Sequence, residues 1–230
     1  MAVPTRTEAL ALLMALSPSP RLVQHVTVAA EVASFIAHRM ASRGHPVDRR
    51  LAETAALLHD IEKALPRDHP LLASGHGHAG AAYLAQAGHP ELVRAVADHP
   101  VTRLVAPDAE EWIMTAPLEQ RVVAYSDKRS MQRVVSLDQR FARWYQRHPA
   151  HVDRLALALE RARRLEQQLC ALAGLTPTTV VRLRWVEETA VRALGVPSVP
   201  AETPAVGWSP GRASAGAGLV STVAIRPSHR

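Results

Sequence analysis

The sequence contains a single cysteine, Cys170, and aromatic residues make up only 4% of the chain. One cysteine excludes an internal disulfide framework and favours a reducing, cytoplasmic compartment. No charged segment followed by an apolar run opens the sequence, so we expect no signal peptide. No apolar run reaches the roughly 18 residues that a membrane span needs, so we expect no membrane partner.

Lysine is nearly absent, although the chain is basic. The 27 basic residues comprise 25 arginines and only two lysines, Lys63 and Lys128, and the formal net charge is +6. Because the charge is spread along the chain and aromatic residues are few, nucleic-acid binding is the weaker interpretation of this charge. The charge also suits an enzyme with a phosphorylated substrate. A compact ammonium group can occupy a tight phosphate pocket that a broad guanidinium does not fit.

The apolar residues are mostly Ala, Leu and Val at helical spacing, and no segment alternates as a strand does. The sequence therefore predicts an all-α fold. The segment 101–114 is expected to be a loop with about one helical turn. Helices are predicted over residues 7–16, 21–44, 48–63, 78–88, 89–100, 117–133, 136–147, 151–174 and 176–195.

Three of the 12 histidines, His25, His59 and His99, follow apolar residues on predicted helices, and Asp60 and Asp127 occur in similar settings. Most of the other histidines lie in loop-like stretches typical of the surface. A single histidine on an apolar face is usually a satisfied core residue. Several imidazoles and carboxylates on different helices would be costly to bury unless they converge on a divalent cation, which both groups bind well.

These residues occur in the motifs "LLHDIEK", "HGHAGAAYL" and "LEQRVVAYSDKRS". Their order resembles that of the HD-domain metal-dependent phosphohydrolases, over roughly residues 18–147. The resemblance implies a compact helical HD-domain bundle that binds divalent metal. It assigns six ligands: His25, His59, Asp60, His76, His99 and Asp127.

Two of these assignments have alternatives in the sequence. Either His76 or His78 could be the ligand in "GHGHAG", and His76 fits the family spacing better. His78 is then expected to lie beside the metal or the substrate. At the next ligand position of the family pattern, His99 fits better than its neighbour Asp98.

We expect two divalent cations, bridged by Asp60, with Fe, Mn, Co or Mg as candidates. His25, His59 and Asp127 would complete one coordination sphere, and His76 and His99 would complete the other. A metal-bound hydroxide would then attack phosphorus.

The two lysines follow the proposed ligands. Lys63 is expected to act with Asp60 in catalysis by contacting a substrate phosphate or the leaving oxygen. Lys128 is expected to support Asp127. The alternatives are a solvated cation at a helix end for Lys63 and a surface ion pair for Lys128.

We expect an HD-type metal-binding domain over residues 1–147, a C-terminal helical hairpin over 148–195 and a disordered tail over 196–230. Among HD proteins the motifs are most similar to enzymes that cleave dinucleoside polyphosphates symmetrically, so the expected substrate is a small phosphate ester or phosphoanhydride, such as a nucleotide. One alternative is a non-catalytic HD fold that binds a nucleotide for signalling. Another is a nucleic-acid-associated protein that uses the Arg-rich helix 154–164.

Overall fold

A computed structural model of the chain describes residues 2–183, 185, 186, 189 and 192. Within these residues the regular structure is helical, which confirms the predicted all-α fold. The α-helices are α1 Arg6–Met14, α2 Pro20–Ala41, α3 Arg49–Leu58, α4 His78–Gln86, α5 Val93–Ala97, α6 Ala109–Thr115, α7 Leu118–Lys128, α8 Leu137–Arg147, α9 Val152–Ala173 and α10 Pro177–Val181. Short 3₁₀ helices are Ile61–Ala64, Pro70–Ser74, Pro90–Leu92, Val101–Val105 and Pro149–His151.

Helix α2 forms the centre of the bundle and is buried along most of its length. Ser19 caps it by accepting a hydrogen bond from Leu22 N–H, and Pro20 takes the first helical position, where its missing N–H is not needed. A helix that is apolar nearly all round must be covered on several sides. Helices α3, α7 and α9 pack against it, so the α2 side chains face three neighbouring elements.

The remaining helices surround this centre in pairs. Helix α1 packs on α3, α4 packs on α5, and α8 packs on α9. None of the described helices is both long and apolar enough to cross a bilayer.

A buried polar cluster fastens α9 to the end of α7. The Arg129 guanidinium donates to the Glu166 carboxylate and to the carbonyl of Val135, and Tyr125 Oη donates to Glu166 at 2.8 Å. Arg129 is 1% exposed, so the pair is shielded from water. Because α7 also carries Asp127, this cluster ties the C-terminal helices to the segment that presents a predicted metal ligand.

Several predicted elements differ from the structure. The helix predicted over 117–133 ends at Lys128, and the one predicted over 89–100 consists of the 3₁₀ helix Pro90–Leu92 followed by α5. The helix predicted over 48–63 ends at Leu58, and a turn separates it from a 3₁₀ helix at Ile61–Ala64. The segment 101–114, predicted to be mostly loop, contains a 3₁₀ helix and most of α6. Helix α6 forms because Ala109, Trp112 and Ile113 lie on one face at helical spacing and are all buried.

The C-terminal predictions are tested only in part. The helix predicted over 151–174 corresponds to α9, whereas the one predicted over 176–195 is described continuously only as far as residue 183. The tail predicted over 196–230 lies outside the described residues. The domain boundary after residue 147 stays a prediction.

Replacing Glu166 with Ala should lower the free energy of unfolding by about 3–5 kcal/mol, because it leaves the Arg129 charge buried without its partner. Urea denaturation followed by circular dichroism measures this. The matched control is Asp138→Ala, which breaks an exposed ion pair with Arg163 and should cost less than about 1 kcal/mol. Equal losses in the two variants would show that the buried pair does not stabilise the α7–α9 contact.

Candidate metal centre

His59 and Asp60 lie where α3 ends, and this position lets two consecutive side chains reach the same point. The backbone is still helical at His59 (φ −58°, ψ −30°) and leaves the helical region at Asp60 (φ −109°, ψ 20°). Consecutive side chains in a regular helix diverge by about 100°. The turn at Asp60 breaks this pattern, and both side chains meet His25 of α2. Nε2 of His25 lies 3.2 Å from Nε2 of His59 and 3.4 Å from Oδ2 of Asp60.

Asp127 of α7 completes a first cluster of four donor atoms: Nε2 of His25, Nε2 of His59, Oδ2 of Asp60 and Oδ1 of Asp127. Oδ1 of Asp127 lies 3.4 Å from His25 and 3.6 Å from His59, and His59 lies 3.4 Å from Asp60. Donor atoms placed tetrahedrally about 2.1 Å from one cation are about 3.4 Å apart. The first cluster therefore has the dimensions of a coordination shell.

A second cluster forms on the other oxygen of the same aspartate. Oδ1 of Asp60 lies 3.6 Å from Nε2 of His99 and 3.8 Å from Nε2 of His76, and the two imidazole nitrogens are 3.1 Å apart. His99 is fully buried, whereas the His76 side chain is 44% exposed. The second cluster is therefore closed on its His99 side and open to solvent beside His76.

The two oxygens of Asp60 differ in their partners. Oδ2 accepts a hydrogen bond from Lys63 Nζ at 2.6 Å, whereas the buried Oδ1 accepts none from the described residues. A buried carboxylate oxygen without a partner is unfavourable, and it becomes satisfied if a cation lies between it and the two imidazoles. The residues of both clusters thus fit divalent cations.

In each histidine of the two clusters, Nδ1 lies within hydrogen-bond distance of an oxygen atom. This oxygen is a backbone carbonyl for His25, His59 and His99, and it belongs to the Glu62 carboxylate for His76. Since these oxygens only accept, Nδ1 carries the proton, and Nε2 of a neutral ring presents a lone pair. Neutral rings would place lone pairs against each other between His25 and His59 and between His76 and His99, unless a proton or a cation lies between them. A cation in each cluster removes this repulsion and satisfies the adjacent carboxylate.

Two glycines allow the His76 segment to approach the centre. Gly77 has φ +82°, and a Cβ atom there would lie 2.7 Å from the Pro100 side chain, next to His99. A Cβ atom on Gly80 would lie 2.7 Å from Oε2 of Glu62, the residue whose other oxygen accepts from His76 Nδ1 at 2.6 Å. A larger side chain at Gly77 would displace Pro100, and one at Gly80 would displace Glu62, the acceptor of the His76 hydrogen bond.

Two positively charged side chains contact the Asp127 carboxylate, one at each oxygen. Lys128 Nζ lies 3.3 Å from Oδ2 and also donates to the carbonyl of His99, and Arg140 of α8 lies 3.0 Å from Oδ1. Lys128 is fully buried, so the alternative of a surface ion pair does not describe it. Its ammonium group links two ligand-bearing segments, as expected of a residue that supports Asp127.

The electrostatics of the clusters favour positive charge. Burial would raise the pKa of Asp60 and Asp127, but neighbouring imidazoles, and Lys128 and Arg140 at Asp127, hold both pKa values well below the usual range. Burial would lower the pKa of His59, yet the two carboxylates raise it to about 10. At His99 burial dominates and lowers the pKa to about 4. Without metal, the first cluster therefore retains a proton on His59, and a cation must compete with that proton.

A pocket of about 290 Å³ opens over the first cluster, with His25 and Asp60 in its lining. Its remaining lining is strongly basic. The cationic side chains in it are Arg21, Lys63, Arg140, Arg143 and Arg147. Because the pocket places this charge next to a candidate divalent centre, it suits an anionic ligand.

The structure brings the six predicted ligands together in the two clusters and separates the alternatives from them. His78 is exposed at the start of α4, and Asp98 faces Arg103 at 3.8 Å. His76 and His99 are thus the side chains that reach Asp60. Lys63 contacts Asp60 while its own side chain is 51% exposed. That these groups bind metal or substrate stays a prediction.

Sequence reasoning missed two residues of the site, Glu62 and Arg140. Glu62 stands in the same motif as His59 and Asp60, and its burial depends on the turn that follows α3. Arg140 had a readable signal, because Arg140, Arg143 and Arg147 are spaced to lie on one face of a helix. Its contact with Asp127 could not be read, because it joins two separate helices.

The fold and the site together define a class: helical proteins in which histidines and aspartates from several segments surround a shared carboxylate. The family model described as HD domain matches residues 22–132, a span that contains all six candidate ligands. Residues 22–132 therefore form an HD domain, which is the domain of a superfamily of metal-dependent phosphohydrolases, as the motifs predicted. No curated protein and no solved structure matches it.

The metal-free protein should be most stable near pH 6.5, because the two imidazoles shift in opposite directions. A His59 pKa of about 10 lies above the ordinary value of 6.5, so its stabilisation is full below pH 6.5 and is lost as the pH rises through 10. A His99 pKa of about 4 lies below 6.5, so its contribution is full above pH 6.5 and is lost as the pH falls through 4.

Urea unfolding of chelator-treated protein between pH 4 and about pH 10 measures this profile. His59→Asn should reduce the alkaline decline, and His99→Asn should reduce the acid decline. The control, Asp138→Asn on the surface of α8, should leave both unchanged. An alkaline decline that persists fully in His59→Asn would contradict the assigned proton.

Proposed function

We propose that this chain is a metal-dependent phosphohydrolase that cleaves a phosphate ester or phosphoanhydride in a small substrate such as a nucleotide. The observation that carries the proposal is the pair of imidazole–imidazole contacts on the two oxygens of one buried carboxylate, Asp60. The HD domain over residues 22–132 supports it, because the family consists generally of metal-dependent hydrolases.

Two divalent cations would be held by separate groups of side chains. His25, His59, Asp127 and Oδ2 of Asp60 would hold one, and His76, His99 and Oδ1 of Asp60 would hold the other. When bound, such cations polarise phosphate oxygens and lower the pKa of coordinated water. Four imidazoles among the donors favour Fe, Co or Mn over Mg, whose sites are built mainly from oxygen.

The chain's own residues position these donors and the substrate. Nδ1 hydrogen bonds fix the orientation of each imidazole, and Lys128 and Arg140 fix the Asp127 carboxylate. The half-exposed Lys63 side chain rests on Asp60 at the pocket wall, from which its ammonium group can reach a substrate phosphate or a leaving oxygen. The cytoplasmic location remains part of this proposal.

The alternative functions receive less support. A missing ligand side chain would favour a non-catalytic HD module, and the six predicted ligand side chains all lie in the clusters. Nucleic-acid binding by α9 is disfavoured because three of its four arginines are paired: Arg161 and Arg164 with Glu110, and Arg163 with Asp138. These ion pairs reduce the positive charge that α9 would offer to a phosphate backbone.

Replacing Asp60 with Ala should abolish hydrolysis and bound metal together, since both clusters lose their shared ligand. The assays are hydrolysis of p-nitrophenyl phosphate with Mn, Fe, Co or Mg and elemental analysis of purified protein, with circular dichroism to verify helical content. His38→Ala is the control, because this exposed histidine in the last turns of α2 lies outside the clusters and the pocket lining, and its rate should stay within about twofold. Full activity of Asp60→Ala, or inactivity of the wild type with every metal, would refute the proposal.

Replacing Lys63 with Gln should reduce kcat about 100-fold while the metal content stays constant, because the ammonium group would assist substrate rather than hold metal. Lys63→Arg should recover only part of the loss, since a guanidinium is broader than an ammonium group. Steady-state kinetics and metal analysis of the same samples separate the two effects. An unchanged kcat in Lys63→Gln would support the simpler description of Lys63 as a solvated cation.

A further inference from the structure

Helix α8 presents a row of arginines to the pocket over the first cluster. Arg140, Arg143 and Arg147 are three and four residues apart, a spacing that places them on one helix face, and all three line the pocket. Arg21 near the start of α2 lines the same pocket. The positive end of the long α2 helix thus adds to the arginine charge there.

The inner and outer ends of this row differ in their partners. Arg140 at the inner end contacts Oδ1 of Asp127 at 3.0 Å and stacks over the Trp144 ring, 4.7 Å from its centroid. Arg143, Arg147 and Arg21 are exposed, and no carboxylate of the described residues lies within ion-pair distance of them.

Exposed arginines elsewhere, such as Arg154 of α9, also have no carboxylate partner among the described residues, so the distinguishing feature of Arg21, Arg143 and Arg147 is that all three line one pocket. Arg161, Arg163 and Arg164 on α9 each form an ion pair with a carboxylate. The outer pocket arginines leave their guanidinium groups open to a ligand. A guanidinium binds phosphate through two parallel hydrogen bonds, so phosphate is the anion that these groups fit best.

The length of the row sets the size of that ligand. Arg140 lies at the metal centre, and seven residues of helix place Arg147 about 10 Å further along the axis. A single phosphate group at the centre is too small to span this length. A ligand that used the whole row would carry a second anionic group beyond the one next to the cations.

We propose that Arg143 and Arg147, with Arg21 opposite, form a second phosphate subsite, so that the substrate is a molecule with a phosphoanhydride chain. A nucleoside di- or triphosphate belongs to this class, whereas a simple phosphate monoester does not. The proposal rests on the proposed function for the reacting phosphate. The outer arginines bind and orient the chain and take no part in bond cleavage.

Competition assays test the subsite. AMP, ADP and ATP are measured as competitors of p-nitrophenyl phosphate hydrolysis by the metal-loaded wild type, with free divalent metal held constant. Affinity should rise from AMP to ADP to ATP. In Arg147→Gln and Arg143→Gln the ADP and ATP inhibition constants should each rise about 10-fold, whereas those for AMP and the rate with p-nitrophenyl phosphate should stay within about twofold.

The matched control is Arg154→Gln, which removes the same charge from an exposed arginine of α9 outside the pocket lining. It should leave all constants unchanged. Equal wild-type affinities for AMP and ATP, or equal weakening of all ligands by Arg147→Gln and Arg154→Gln, would overturn the subsite while leaving the proposed function intact.

Failure of the proposed function is recognised separately, by a wild type that hydrolyses no p-nitrophenyl phosphate with any metal. Isothermal titration of the metal-loaded protein with ADP then decides the subsite. Binding that weakens in Arg147→Gln but not in Arg154→Gln supports it, and no binding of ADP overturns it.

Discussion

The carboxylate of Asp60 is the group on which the rest of the site depends. It is buried, each of its oxygens faces a pair of imidazoles, and only one oxygen accepts a hydrogen bond from the described residues. On each side two imidazole Nε2 atoms lie 3.1–3.2 Å apart, and positive charge between them, from a proton or a cation, stabilises this contact. One buried carboxylate and two pairs of imidazoles from separate segments thus form a donor set that suits divalent cations.

The backbone around the site serves this arrangement. Helix α3 stops one residue before His59, so that two neighbouring side chains can share a centre that a continuing helix would separate. Gly77 and Gly80 leave the space that brings His76 and its acceptor Glu62 against the second cluster. The central helix α2 contributes His25 from a rigid, fully packed position. Donor atoms held this way are organised before any ion binds, which lowers the entropic cost of binding.

Charge is distributed around the site in layers. Positively charged side chains form ion pairs with the two inner carboxylates. Lys128 and Arg140 contact Asp127, and Lys63 contacts Asp60. Further out, Arg143 and Arg147 of α8 are exposed and without carboxylate partners among the described residues, whereas Arg161, Arg163 and Arg164 of α9 are paired. The basic character of the chain is therefore not uniform at its surface: one concentration of unpaired charge lies at the pocket over the candidate centre.

The sequence by itself determined the all-α fold and the order of most helices, because helical periodicity is a local property of the chain. Its motifs, through their resemblance to a known family, indicated six candidate ligands and left His78 as an alternative to His76. It placed the boundary of α3 several residues too late and missed most of α6, since a helix end depends on the packing of its last turn. Only the tertiary structure decided that His76 rather than His78 reaches Asp60 and that Glu62 and Arg140 join the site. Those choices depend on distances between segments that are far apart along the chain, and such distances arise only when the helices pack.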